Sequence, residues 1–309
     1  MNILDQRARW RAERLAMEGG TREYSPGRSR SVLHVHIFQS LLLAVALPFR
    51  LLGLYGRGRR NALDLGLTRL DLEFADLPAD LEGFRILHLS DLHVDYLPQA
   101  TAVATSLVAA VEADLCVITG DFLGDPQSPL GSVLPALEKL LGAISSRHGV
   151  IAVLGNHDRA ELVESLEALG VRVLLNETRS IAVGESCLSI CGTDDVNRYY
   201  TPAAAGAFGR AAPGFGLALV HSADLAPEAA AAGFRLYLCG HTHGGQICLP
   251  GGRVIISRQD CGRRFASDLW RQGAMTGYTS RGVGTASLPL RFNCRGEVAL
   301  LELRRPANA

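Results

Sequence analysis

Five apolar runs in this chain of 309 residues end in polar clusters of one kind, and that repetition limits the folds open to it. Residues 84–90 lead into Asp91-Leu92-His93, and residues 115–119 into Gly120-Asp121. Residues 150–154 lead into Gly155-Asn156-His157-Asp158, 216–220 into His221, and 234–239 into Gly240-His241-Thr242-His243. Short continuous runs rich in Val, Ile and Leu read as strands buried on both faces. Helix-like segments at 99–112 and 131–145 separate the first three. Such alternation predicts an α/β sheet with helices layered on it. Chemistry in these sheets collects at the carboxyl ends of the strands, where the polar clusters fall. Ahead of them, Leu70, Leu72 and Phe74 alternate with Asp71 and Glu73, as in a half-buried strand. Further strand-like segments lie at 172–175, 180–183, 187–191, 254–257, 277–280 and 298–303.

The 31 basic and 31 acidic side chains cancel, and 48% of residues are hydrophobic. That apolar content excludes a disordered chain, and the balanced charge argues against a nucleic-acid partner. The balance hides an asymmetry: residues 1–70 carry 12 Arg against only Asp5, Glu13, Glu18, Glu23 and Asp64. Seven cysteines, an odd number without a CxxC pair, include several inside apolar runs. They read as buried free thiols of a reducing compartment.

The basic surplus frames an apolar segment. Residues 1–31 form a basic N-terminal arm, in which Ile3, Trp10 and Met17 stand one heptad apart and permit a short amphipathic helix. Residues 32–56 are apolar, but only residues 37–49 lack a charge or His, short of the ~20 a membrane span needs. An interfacial helix, a span and a helix packed on the domain all stay open. Arg28, Arg30, Arg50, Arg57, Arg59 and Arg60 flank the segment and predict a catalytic domain on the cytoplasmic face of the inner membrane. A linker at 57–66, a catalytic domain at 67–305 and a tail at 306–309 complete the expected layout.

The strand-end clusters hold Asp91, His93, Asp121, Asn156, His221, His241 and His243, with His157 beside them. Imidazole and carboxylate oxygen suit Mn, Fe, Zn or Co, and the absence of Cys argues against a closed structural zinc site. Seven donors exceed what one ion with an open position needs. They suit two ions sharing a carboxylate, a pair that lowers the pKa of a shared water.

In that order the motifs resemble the calcineurin-like metallophosphoesterases, over about residues 67–303. Two further stretches are similar to the bacterial membrane-associated branch of that family. One is Gly240 to Gln246 with Leu249-Pro250, the other Ser280-Arg281-Gly282-Val283-Gly284 with Leu288-Pro289-Leu290-Arg291. Some members of that branch cleave the pyrophosphate of UDP-2,3-diacylglucosamine in lipid A synthesis. The resemblance implies a four-layer α/β/β/α sandwich of two mixed sheets, here with an N-terminal apolar helix. It implies two divalent ions, with manganese favoured and Fe, Zn, Co or Mg as substitutes. Asp91, His93 and His243 would hold the first ion, Asn156, His221 and His241 the second, and Asp121 would bridge both. His157 would face the scissile phosphate, with Asp158 orienting its ring, and Arg281 and Arg291 would grip substrate phosphates. The implied function is hydrolysis of a lipid-linked or amphiphilic phosphoester or pyrophosphate at a membrane surface, by a metal-bridging hydroxide attacking phosphorus in line. A phosphodiesterase on soluble substrates such as cyclic nucleotides is the alternative. The complete ligand set argues against a non-catalytic scaffold. Two departures from the pattern stand out: His221-Ser222-Ala223-Asp224 lacks the usual Pro, and Cys294-Arg295-Gly296-Glu297 replaces Pro-Pro-Glu.

Overall fold

The structure, a computed structural model, describes residues 3–20, 46–210, 213–254 and 262–306. Two six-stranded sheets carry the domain. The first runs in the order β1 (Gly66–Glu73), β16 (Glu297–Arg304), β2 (Arg85–Leu89), β4 (Leu115–Thr119), β6 (Val150–Val153) and β7 (Val171–Val173). The second runs β14 (Asp268–Gln272), β15 (Met275–Thr279), β11 (Leu236–Cys239), β10 (Phe215–Leu219), β9 (Ser186–Gly192) and β8 (Glu177–Val183). Both are mixed: β16 pairs antiparallel to β2, while β8 and β14 are antiparallel edges of the second sheet. Two short pairs, β3 (Glu112–Ala113) with β5 (Ser145–Ser146) and β12 (Cys248–Leu249) with β13 (Arg253–Val254), lie outside the sheets.

Three apolar cores explain the continuous runs. In β4, Leu115 and Val117 face the second sheet and meet Leu217, Leu219, Leu236 and Leu238. Cys116 and Ile118 face the other way, against α4 (Pro98–Val108), α5 (Leu130–Gly142) and α6 (Leu162–Ala168). Ala218 and Tyr237 of the second sheet pack outward on α7 (Pro202–Ala207) and α8 (Ala226–Ala231). A strand covered on both faces has no reason to alternate. The layers are therefore α/β/β/α, as expected.

The short helix that the spacing of Ile3, Trp10 and Met17 permits is present. Helix α1 (Ile3–Glu18) occupies much of the basic arm and lies against the domain. Residues 21–45, most of the apolar segment, lie outside the described residues, as do 255–257 of the expected strand at 254–257 and 307–309 of the tail. Helix α2 is described from residue 46 to 51, and Ala46 and Phe49 pack on Leu288, Leu290 and Phe292. Among the described residues no helix is long and apolar enough to cross a membrane. The expected linker at 57–66 is corrected: α3 (Tyr55–Leu63) fills most of it. Its Gly58 lies so close to Phe292 that a Cβ there would be 2.5 Å from the ring, and Asn61 Nδ2 donates to Arg291 O at 3.0 Å.

Candidate metal centre

Each candidate ligand stands just past the end of a strand. Asp91 and His93 follow β2, Asp121 follows β4, and Asn156 and His157 follow β6. His221 follows β10, and His241 and His243 follow β11. Asp91, His93, Asp121, His241 and His243 all have φ between 42° and 72°. Non-glycine residues avoid this left-handed region, and such strain persists only where the surroundings enforce it. The loops also approach closely. A Cβ on Gly155 would sit 2.1 Å from Asp121 Oδ1, and one on Gly240 would sit 2.2 Å from Asp91 Oδ2.

Two donor groups result. The ligand atoms of Asp91, His93 and His243 lie within 4.8 Å of one another, and so do those of Asp121, His221 and His241. His93 Nε2 is 3.1 Å from His243 Nε2, which is 3.4 Å from Asp91 Oδ1. Asp121 Oδ2 stands between the groups, 3.6 Å from His93 Nε2 and 3.3 Å from His221 Nε2. His221 Nε2 lies 3.2 Å from Asn156 Oδ1 and 3.2 Å from His241 Nδ1. The structure thus brings all seven candidate ligands together.

The protons decide what this arrangement can hold. His93 Nδ1 donates to Leu123 O at 2.8 Å, and His221 Nδ1 donates to Thr119 O at 2.7 Å. Each neutral ring therefore turns a bare Nε2 lone pair toward carboxylate and amide oxygens. Acceptors facing acceptors repel unless a cation or a proton lies among them, and far-side donation to a carbonyl is how proteins orient imidazole ligands. The donor set fits two cations that share Asp121. Without a cation, protons fill the role unevenly. Burial pushes His93 down to about 4, and burial together with His93 and Arg291 holds His243 well below the usual imidazole range. Burial opposes charge on His221 as well, but Asp121 and Asp91 outweigh it and push the ring up to about 10. Burial likewise opposes ionisation of Asp121, yet His221, His157 and His93 keep it well below the usual carboxylate range.

Two expected roles need correction. Asp158 does not orient the His157 ring. Its Oδ2 accepts from the amides of Asp121 (2.9 Å) and Gly155 (2.8 Å), and its Oδ1 from Leu123 (3.1 Å). It ties the Gly155 turn to the Asp121 loop. His157 instead donates from Nδ1 to Gly124 O at 2.6 Å, and its backbone N–H donates to Asp121 Oδ1 at 2.9 Å. Arg291 is fully buried, and its NH2 donates to the carbonyls of Arg281, Gly282 and Gly284. Its NH1 donates to His243 O at 3.3 Å, so it braces a ligand loop and has no face for substrate. Arg281 is ion-paired to Glu297, whose carboxylate also accepts from Tyr278 and Thr68. Arg291 is therefore not placed to grip a phosphate, whereas Arg281 is held by Glu297 with its side chain 26% exposed.

Sequence reasoning missed a sixth polar strand end. β9 runs into Thr193-Asp194-Asp195, a signal of the same form as the other five. Asp194 accepts from Trp10 and Arg14 of α1, and Arg14 reaches the turn that carries Asn156.

A sequence model of the family described as calcineurin-like phosphoesterase matches residues 84–245, the span that holds all seven donors and His157. The uncharacterized metallophosphoesterase YkuE of Bacillus subtilis is 31% identical over 240 residues, covering 74% of this chain and 82% of its own. The phosphodiesterase YaeI of Escherichia coli is 31% identical over 233 residues, covering 71% and 82%. The UDP-2,3-diacylglucosamine pyrophosphatase LpxG of Chlamydia muridarum matches locally, at 36% over 101 residues, or 32% of this chain and 30% of its own. With the family's donor motifs gathered at one site, the chain belongs to the calcineurin-like phosphoesterases and is a metal-dependent phosphohydrolase.

Proposed function

We propose that the protein hydrolyses a lipid-linked or amphiphilic phosphoester or pyrophosphate at the cytoplasmic face of the inner membrane, using two manganese ions. Asp91, His93 and His243 would hold one ion and Asn156, His221 and His241 the other, with Asp121 within reach of both groups. The ions, when bound, supply an activated water and offset charge on the phosphoryl oxygens. The protein orients the rest. Gly124 O fixes the Nδ1 proton of His157, which leaves Nε2 as the atom that meets a bound phosphate or leaving group: it accepts a proton in the neutral ring and donates one only when the ring carries both protons. Asn156 offers a neutral amide oxygen, so its half of the site stays less negative than a third carboxylate would make it.

One observation supports the lipid part of this reading. α2 is seated on Leu288, Leu290 and Phe292, with Phe49 stacked on Phe292 at 4.9 Å. The same 284–292 segment abuts the metal centre, where a Cβ on Gly284 would lie 2.9 Å from Asp91 O. Leu47, Leu51 and Leu52 are exposed there, and the exposed Arg50, Arg57, Arg59 and Arg60 are close to them in the sequence. Exposed apolar side chains with arginines close in sequence suit an anionic bilayer. UDP-2,3-diacylglucosamine, the substrate in LpxG's name, is the compound to try first. The longer match to YaeI, named a phosphodiesterase, favours a second reading with soluble diesters as substrates.

Mass spectrometry of products separates the two. The manganese-loaded full chain is incubated with UDP-diacylglucosamine in anionic vesicles and, separately, with soluble diesters. The lipid reading expects diacylglucosamine 1-phosphate and UMP, and about tenfold slower release after Leu47, Leu51 and Leu52 are changed to Gln. Turnover of soluble diesters alone would favour the second reading.

A further inference from the structure

Helix α1 lies outside the 84–245 span that matches the family, yet it is bonded to the backbone of the metal centre. Its Arg14 is fully buried. Nε donates to Glu18 Oε1 at 3.0 Å, and NH1 donates to Asp194 Oδ1. NH2 donates to Asp158 O at 2.6 Å and to Gly155 O at 3.3 Å. The guanidinium carbon lies 3.4 Å from the centre of the Tyr199 ring. Trp10 and Glu18, one turn to either side on the same helix face, bond to the same region. Trp10 Nε1 donates to Asp194 Oδ2 at 2.7 Å, and Glu18 Oε1 accepts from Ala160 N at 2.8 Å. Farther along the helix, Arg7 pairs with Glu177 and Glu167.

The placement is specific. The carbonyls of Gly155 and Asp158 bracket two residues, Asn156 and His157. Those two deliver an amide oxygen 3.2 Å from His221 Nε2 and a backbone N–H bonded to Asp121. A buried charge is tolerated only in a geometry that satisfies it, so Arg14 cannot drift without stripping its carboxylates. Its planar fork spans two carboxylates and two carbonyls together, which a lysine point charge cannot do. The helix is thereby locked to the turn.

We propose that α1 is a positioning element of the active site: through Arg14 it holds the Gly155–Asp158 turn in the geometry that presents Asn156 to its cation and His157 to the phosphate. Arg14 touches neither ion nor substrate and acts through the turn. The proposal rests on the reading of Asn156 as a ligand.

The test uses the full chain with Arg14→Ala, Arg14→Lys, Trp10→Phe and Glu18→Gln. Hydrogen exchange at amides 155–158 is followed in chelator-treated protein, Mn²⁺ binding by calorimetry, and kcat and KM on a soluble chromogenic diester. In Arg14→Ala we expect faster exchange confined to the turn and its neighbours. One of two Mn²⁺ steps should weaken about 10- to 100-fold, with kcat falling in parallel and KM little changed. Arg14→Lys should not rescue these losses. If Arg14→Ala does not fold, Trp10→Phe and Glu18→Gln loosen the same contact more gently and carry the same measurements. Wild-type exchange and both Mn²⁺ steps unchanged in every folded variant overturn the proposal. A wild-type protein that binds a single Mn²⁺ would refute the ligand assignment of Asn156, while the exchange data would still judge the clamp.

Discussion

The two halves of the metal centre are each braced by a buried arginine, and the two braces are built differently. Arg14 and Arg291 are the largest fully buried side chains among the described residues. Arg291 serves the half that contains His243 and lies beside Asp91. Its hydrogen bonds go to backbone carbonyls and the Cys294 thiol, and burial pulls its pKa below the ordinary guanidinium value. Arg14 serves the half that contains Asn156, and it is paired with Asp194 and Glu18. Burial opposes its charge too, but Asp194, Tyr199, Asp195 and Glu18 together outweigh it and raise its pKa. The solvent side differs as well: Asp91, His93 and His243 are buried, whereas Asn156, His157 and His241 are half-buried. One half is enclosed and held by the strand-end loops themselves. The other opens to substrate and is held by a helix from the far end of the chain. A site with one closed and one open half keeps its ligands ordered while leaving room for a phosphate.

Removing the residue shared by both halves has the largest effect. Asp121→Ala should abolish binding of both ions and lower kcat about a thousandfold or more, about 4 kcal/mol of transition-state stabilisation. Metal content by elemental analysis and steady-state kinetics check this. The braces come next, as losses of stability in urea unfolding. Arg14→Ala leaves the Asp194 carboxylate buried without its cation and should cost about 3–5 kcal/mol. Arg291→Ala strands backbone carbonyls and a thiol rather than a carboxylate and should cost about 1–3 kcal/mol. Equal losses would dissolve the contrast between the two braces. The gentlest test is pH on the metal-free protein. His93 titrates near 4 when folded against an ordinary 6.5, so its contribution is present above pH 6.5 and lost as pH falls toward 4. His221 titrates near 10, so its contribution is present below pH 6.5 and lost as pH rises toward 10. Thermal unfolding should therefore weaken on both sides of neutrality, by a few degrees, with His93→Gln blunting the acid limb and His221→Gln the alkaline one. Saturating Mn²⁺ should weaken the alkaline limb, because the ion takes the place of the proton.

The central strands were legible because burial on both faces leaves an unbroken apolar run. β4 was expected at residues 115–119 and is found as Leu115–Thr119. The ligands were legible because each follows such a run. α7 and α8 were not: Pro202–Ala207 and Ala226–Ala231 are short and rich in Ala, with too few turns to show a period. The linker at 57–66 was misread for a related reason. Gly56, Arg57, Gly58, Arg59 and Arg60 look like solvated chain, but Gly58 is there to let α3 sit on Phe292.

By itself the sequence determined the layered α/β class and the seven-donor set, because strand burial and ligand chemistry are written locally, in runs and motifs of a few residues. The duties of the charged residues around that set were decided only by the tertiary structure. Arg291 and Asp158 turned from substrate and catalytic groups into backbone braces, and Arg14 emerged from a basic arm as the residue gripping the Asn156 turn. A charged side chain's duty depends on which donors or acceptors lie within about 3 Å of it. For Arg14 those include Asp158, 144 residues away, and Asp194, 180 residues away, contacts that exist only once the chain has folded.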